Sequence, residues 1–264
     1  MEQTEPLILV FSSIFGAIVG SFLNVVILRL PREGASIVFP ASHCPQCRHP
    51  LAWYENIPVL SYLVQRGKCR HCKAVISPQY PVVELLTALL TAALVHHFGL
   101  TWAAAGYFLF TAALVVIIFI DIQLQIIPDV ISLPGIVLGF AFSFVNPAVS
   151  WLDSLLGIVA GGGILYGIAT LYALLRKQDG LGGGDIKLLA MLGAFLGWQS
   201  LPFIVFSSSL SGSLVGIIAM GVQKKGGQTR IAFGPFLALA GLCYMFFSKP
   251  IISYFQLYLE GQWP

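Results

Sequence analysis

Charge is what this sequence has least of. Lys and Arg number 14 and Asp and Glu 11 among 264 residues, so 9% of the chain is charged, where a soluble globular domain carries roughly a quarter. So few ions cannot cover a water-facing surface of ordinary size. The mean hydropathy of +0.87 points to lipid as the main solvent. The net charge of +3 is too small to draw the chain to nucleic acid. A basic start is lacking too. Glu2 and Glu5 stand where a secretory signal carries Lys or Arg, and the apolar run behind them is too long for a signal's core, so the expectation is no such signal. Cysteine is rare, with five residues, yet four of them fall in two close pairs within one polar segment.

Long apolar runs are what the sequence does have. A bilayer core about 30 Å thick takes about 20 apolar residues as a helix. Residues 7–28 form the first such run, followed by a polar segment to about Tyr80, and then by runs at 81–98 (interrupted only by Glu84), 101–120, 130–145 and 154–175. Residues 188–222 carry no charge. As one helix they would reach about 50 Å, too far for a single crossing, and Gly197-Trp198-Gln199-Ser200-Leu201-Pro202 supplies a break. With 231–248 the expectation is an all-α polytopic membrane protein of about eight transmembrane helices. Cytoplasmic loops collect Lys and Arg. With both ends outside, the inside segments 29–80, 121–129, 176–187 and 223–230 hold thirteen of the fourteen basic residues, and only Lys249 is left out. His96 and His97 then lie at the outer interface.

The polar segment contains Cys44-Pro45-Gln46-Cys47 and Cys69-Arg70-His71-Cys72, separated by 21 residues. Each pair lets two thiolates from one turn grip one ion, and two pairs complete a tetrahedral sulfur site. The spacing is slightly longer than that of a zinc ribbon. Two disulfides are the alternative, but a cytoplasmic segment stays reduced, so Cys44, Cys47, Cys69 and Cys72 are expected to hold a structural zinc. Too few apolar residues lie between them to build a core, so the metal would supply folding energy. His43, His49 and His71 are further possible ligands to a shell that four cysteines already fill. Cys243, in the last span, reads as a small buried hydrophobe.

Of five aspartates, Asp153 reads as a helix cap, Asp179 as a loop residue and Asp129, after Pro128, as a cap of the helix beginning near Val130. Asp121 directly follows twenty uncharged residues, and Asp185 closes Gly182-Gly183-Gly184-Asp185 and opens the next span. The glycines permit close backbone approach. Either aspartate alone is explained as an interfacial or capping residue. As a pair, 64 positions apart at the same end of two spans, they suggest more. Two carboxylates in a partly dry site share a proton. One form then activates water while the other protonates a carbonyl or leaving amine, as peptide hydrolysis without a metal or serine requires. Asp129 is the reserve candidate. Asn24 and Glu84, polar within spans, suit a substrate path or simple bonding between helices.

At these residues the sequence resembles the type IV prepilin peptidase family, membrane aspartic proteases of the GxGD type. The likeness includes Gly20-Ser21-Phe22-Leu23-Asn24-Val25-Val26 with Arg29-Leu30-Pro31, both CxxC pairs, Glu55-Asn56-Ile57-Pro58, Tyr80-Pro81-Val82-Val83-Glu84-Leu85, Asp121 through Pro128-Asp129, and Gly182 to Leu188. The polar segment is short compared with longer versions in the family. The resemblance implies a bifunctional enzyme of the bacterial inner membrane with its active site facing the cytoplasm. It would cleave the basic leader of prepilins or type II secretion pseudopilins after a glycine, with Asp121 and Asp185 as the catalytic pair. It would then N-methylate the new terminal residue with S-adenosylmethionine. Residues 1–30 would be the first span, 31–80 the zinc-binding segment associated with methyl transfer, and 81–264 the peptidase domain; the substrate's apolar helix and membrane lipid would be partners. No strand–GxGxxG–helix unit marks a donor site, and no residue is assigned to the methyl donor. A peptidase without methylation, or a proton-coupled transporter using its intramembrane carboxylates, are the alternative readings.

Overall fold

Pro6 opens the first helix, where a missing N–H costs nothing, and Arg29 closes it. The computed structural model describes residues 5–176, 182–223 and 232–259. Glu2, Lys177, Asp179, Lys224, Lys225 and Arg230, on which sequence expectations rest, lie outside the described residues. Among those described there are nine α-helices and no strand: α1 (Pro6–Arg29), α2 (Leu60–Val64), α3 (Gln79–Phe98), α4 (Trp102–Leu124), α5 (Asp129–Phe142), α6 (Trp151–Arg176), α7 (Gly183–Leu196), α8 (Leu201–Gln223) and α9 (Gly234–Leu259). The protein is an all-helical, multi-pass membrane protein.

Among the described residues, six helical stretches are long and apolar enough to cross a membrane. All eight apolar runs form helices, but a count of eight full crossings is not confirmed. The helices α5 and α7 have 14 residues each, about 21 Å at 1.5 Å per residue, short of a bilayer core. The break at Gly197 is a left-handed turn (φ 78°) leading into a 3₁₀ turn, Trp198–Ser200. The helix α9 runs beyond Ser248, with a non-helical residue at Phe247 ahead of Pro250, whose ring excludes a regular preceding turn.

The chain divides into two compact units, Met1–Val116 and Ile117–Pro264. In the first, α1 packs along α3. Lipid offers no hydrophobic drive for this, so close contact of small residues must supply it. A Cβ added to Gly16 would lie 2.8 Å from the Thr87 carbonyl oxygen, and one at Gly20 would lie 2.8 Å from the Glu84 Cα. The hydroxyls of Thr87 and Thr91 donate to carbonyls one turn back, at 2.7 and 2.6 Å, so the seam stays satisfied. The Phe15 ring lies 5.4 Å from that of Phe108, and the Phe98 ring 4.9 Å from that of Tyr107, both tilted, bringing the first part of α4 onto the pair.

The second unit is built around α7, whose residues from Leu188 to Leu196 are all buried. A helix apolar on every side belongs inside, and glycines on its neighbours make the room. Gly157 of α6 and Gly193 of α7 meet so closely that a Cβ on either would overlap the other's backbone carbonyl. Gly161 faces the Leu189 carbonyl, Gly135 and Gly139 of α5 accept Met191 and Phe195, and Gly241 of α9 accepts Leu192. Ser154 bonds the Ala194 carbonyl at 2.7 Å. Asp153 is not the cap of α6. Ser150 precedes the helix and Asp153 lies in its first turn, the two exchanging hydrogen bonds, while Asp153 also accepts from the Trp198 indole at 3.1 Å. Cys243 is exposed, not buried; on a helix meant for lipid, a small apolar side chain needs no protein cover.

Candidate active site and metal centre

Asp121 lies one turn from the end of α4, only 4% exposed. Its Oδ2 accepts the backbone N–H of Gly234 at 3.0 Å. Gly234 begins α9, and the first N–H groups of a helix have no partner within it and favour a negative charge. A Cβ at residue 234 would stand 2.6 Å from that same oxygen, so only glycine permits the bond.

Asp185 is the third residue of α7, half-buried, its own N–H bonded to the Gly182 carbonyl at 3.1 Å. Gly184, just before it, touches Ile127: a Cβ there would lie 2.9 Å from the Ile127 Cβ. Ile127 also packs on Gly234, 3.0 Å from where a Cβ would be. One isoleucine thus joins the glycine preceding Asp185 to the glycine that binds Asp121, and the charge of Asp121 reaches Asp185. Such a carboxylate pair can hold one proton between its members and divide the tasks of base and acid.

Asp129 makes no side-chain cap; it is the first residue of α5. Both its oxygens accept from Lys187 Nζ at 2.7 Å. Sequence reasoning missed this pair, counting Lys187 only as a basic residue of an inside segment. The signal available was its place two residues after Asp185, in a chain where charge is rare.

The four cysteines of the polar segment come together: their Sγ atoms all lie within 4.8 Å of one another. The Cys44 and Cys72 sulfurs are 3.8 Å apart, close to the edge of a tetrahedron with metal–sulfur bonds of about 2.3 Å. The two turns repeat one design. The Cys44 N–H donates to the His49 carbonyl and the Arg48 N–H to the Cys44 carbonyl, at 3.0 and 2.8 Å; the Cys69 N–H donates to Ala74 and the Lys73 N–H to Cys69, at 2.8 and 2.9 Å. Arg48 and Lys73, each following the second cysteine of its pair, both take positive φ, at 57° and 62°. Backbone N–H groups of Cys72 and then His71 draw the Cys69 thiol down to about 7. Cys47 is pushed up to about 11: the His49 N–H pulls it down, but burial and the neighbouring sulfurs outweigh that. His49 and His71 stack on each other at 4.6 Å, and His43 Nδ1 lies 2.9 Å from the Ala41 carbonyl, so the sulfurs form the ligand set. No disulfide joins them. The residues present fit a tetrahedral metal ion.

Fold and sites define a class: a multi-pass helical membrane protein with two aspartates at helix ends in one unit and a four-thiol cluster in the other. Residues 14–98 match the bacterial peptidase A24 N-terminal domain and residues 108–217 match the type IV leader peptidase family. A prepilin leader peptidase/N-methyltransferase from Pseudomonas aeruginosa is 41% identical, over 90% of this chain and 90% of its own length. Proteins of the same name from Aeromonas hydrophila and Neisseria gonorrhoeae are each 39% identical, over 92% and 91% of this chain and 91% of theirs. The chain therefore belongs to the type IV leader peptidase family. No solved structure matches it.

Proposed function

We propose that this protein removes the leader from prepilins or pseudopilins by aspartyl-activated water and methylates the amino group so exposed. The observation that carries the reading is the setting of Asp121 and Asp185, the first held by the Gly234 N–H and the second on a glycine turn, in a chain 41% identical to a prepilin leader peptidase/N-methyltransferase. The ionised member of the pair takes a proton from water as the oxygen attacks the scissile carbonyl. The protonated member donates to that carbonyl, the proton gained from water goes to the departing amine, and the proton on the former carbonyl returns to the pair as the intermediate collapses. The amide bond breaks, and one water molecule is consumed.

Cys44, Cys47, Cys69 and Cys72 would hold a structural zinc and thereby fold the segment 31–80, which we assign to methyl transfer, with 81–264 as the peptidase domain. S-adenosylmethionine supplies the methyl group when bound. The basic residues gathered in alternate loops support an active site facing the cytoplasm of a bacterial inner membrane. A substrate whose apolar segment lies among these helices would present its basic leader on that side.

The test is to incubate the purified protein with a prepilin and S-adenosylmethionine and weigh the product. A product without its leader and heavier by one methyl group is expected. Cleavage alone would reduce the protein to a peptidase, and an unchanged substrate would refute both activities.

A further inference from the structure

The helix seam of the first unit contains polar groups that neither the aspartyl chemistry nor the metal uses. Asn24 is 1% exposed and Glu84 7%. Gly20 lies against the Glu84 backbone, and the Asn24 amide donates to the Tyr80 carbonyl at 3.1 Å and the Gly20 carbonyl at 3.3 Å. Gly20 and Asn24 are one turn apart on α1, as Tyr80 and Glu84 are on α3. The two side chains therefore occupy the same turn of the seam, at the end where α3 meets the polar segment.

Their bonding is incomplete in one sense only. The donors of Asn24 are used, while its Oδ1 is buried with no partner. The Glu84 carboxylate accepts the Val59 N–H at 2.7 Å and a bond from Ser21, both neutral donors. Among the described residues no Lys, Arg or His forms an ion pair with it. A buried carboxylate without a counter-charge must take up a proton or find a cation, and a buried carbonyl without a donor is costly. A single group seated between the two side chains would answer both: a cation with several N–H bonds to give. An α-ammonium is such a group. We infer that Asn24 and Glu84 form a binding site for an α-ammonium group. The inference rests on the methyl-transfer reading and extends it from 31–80 to the two helices that flank that segment in the same unit; two participants in that reaction carry the group: the amino terminus of the cleaved substrate, heading an apolar helix, and S-adenosylmethionine.

The test uses Glu84→Gln in the full-length protein. Glutamine keeps the side chain's shape and its acceptor for Val59, so a latch holding the loop would survive the change, whereas a counter-charge would not. Affinity is measured for a mature substrate peptide with a free amine, for the same peptide acetylated, and for S-adenosylmethionine. Helicity and bound zinc report whether the variant is folded. If the substrate amine occupies the site, wild type prefers the free amine, and the variant loses that preference by roughly tenfold or more, the scale of one charge-assisted hydrogen bond. If the donor occupies it, affinity for S-adenosylmethionine falls by that factor and the peptide preference persists. Unchanged affinity for both overturns the site. Should Glu84→Gln not fold, Asn24→Ala is measured in the same way, with the same outcomes deciding. Wild-type protein that adds no methyl group refutes the methyl-transfer reading, whereas methylation by wild type together with unchanged affinities refutes this site alone.

Discussion

Gly234 lacks a side chain for a reason that lies in another helix. The added Cβ of alanine would press on Asp121 Oδ2 from 2.6 Å and displace the carboxylate from the N–H that orients it. Displacements of this kind cost on the order of 10²-fold in rate. Gly234→Ala should therefore lower leader cleavage by about that factor with helicity retained, and cleavage at the wild-type rate would show the bond to be dispensable. Asp121→Asn and Asp185→Asn should each remove nearly all cleavage, and the double variant should be little worse than either, because groups acting as a unit do not add. A well-folded Asp185→Asn protein with full activity would end the aspartyl mechanism. Both aspartates are legible in the sequence because a charge at the end of a long apolar run is expensive enough to need a purpose. Gly234 is not. Its partner is 113 positions away, and a glycine in a glycine-rich chain carries no mark of its contact.

At the scale of elements, α7 explains what hydropathy left unread. Apolar content predicts that residues 188–196 form a helix, but the same content suits a helix facing lipid and one buried in protein. Glycines on α5, α6 and α9 decide for burial, so a helix of 14 residues suffices where a lipid-facing one would need about 20. Gly193→Leu should consequently lower thermal stability sharply, since backbone stands where the side chain would go and overpacking costs roughly 1–3 kcal/mol or more; an unshifted Tm would contradict the packing. The Asp129–Lys187 pair behaves differently. Its side chains are 57% and 36% exposed, and exposed pairs contribute about 0–1 kcal/mol, so Lys187→Ala should barely move Tm. Yet the pair ties the start of α5, two residues from Ile127, to the first turns of α7, two residues from Asp185. Lys187→Ala should lower kcat for cleavage more than it raises KM, and the exchange Asp129→Lys with Lys187→Asp should restore part of the loss. A wild-type kcat in Lys187→Ala would reduce the pair to surface decoration. Fifty-eight positions separate its members, which is why the sequence shows two charges and not their union.

For the whole molecule, the division into two units, one with the thiol cluster and the other with the aspartates, predicts that the two activities can be separated through the metal. Cys47 binds its proton more tightly than a free thiol, about 11 against 9.0. Cys69 binds its proton more weakly than a free thiol, about 7 against 9.0. For Cys69 the sign follows directly: its favourable contribution is fully present above pH 9.0 and is lost as pH falls through about 7. A metal ion must displace whatever protons the four sulfurs hold, so zinc affinity should rise with pH across the neutral range and acid should strip the site. About one zinc per chain is expected by elemental analysis of protein purified near neutral pH. Zinc-free protein with its thiols paired as disulfides would refute the site. Because few apolar side chains cover this segment, removing the ion should loosen it and leave α7 and its glycine contacts intact. Cys44→Ser and Cys72→Ser, or mild chelation, should therefore reduce methylation of the exposed amine more than leader cleavage, measured on one substrate by mass. Equal loss of both activities would mean that the metal supports the whole protein and not one of its two units.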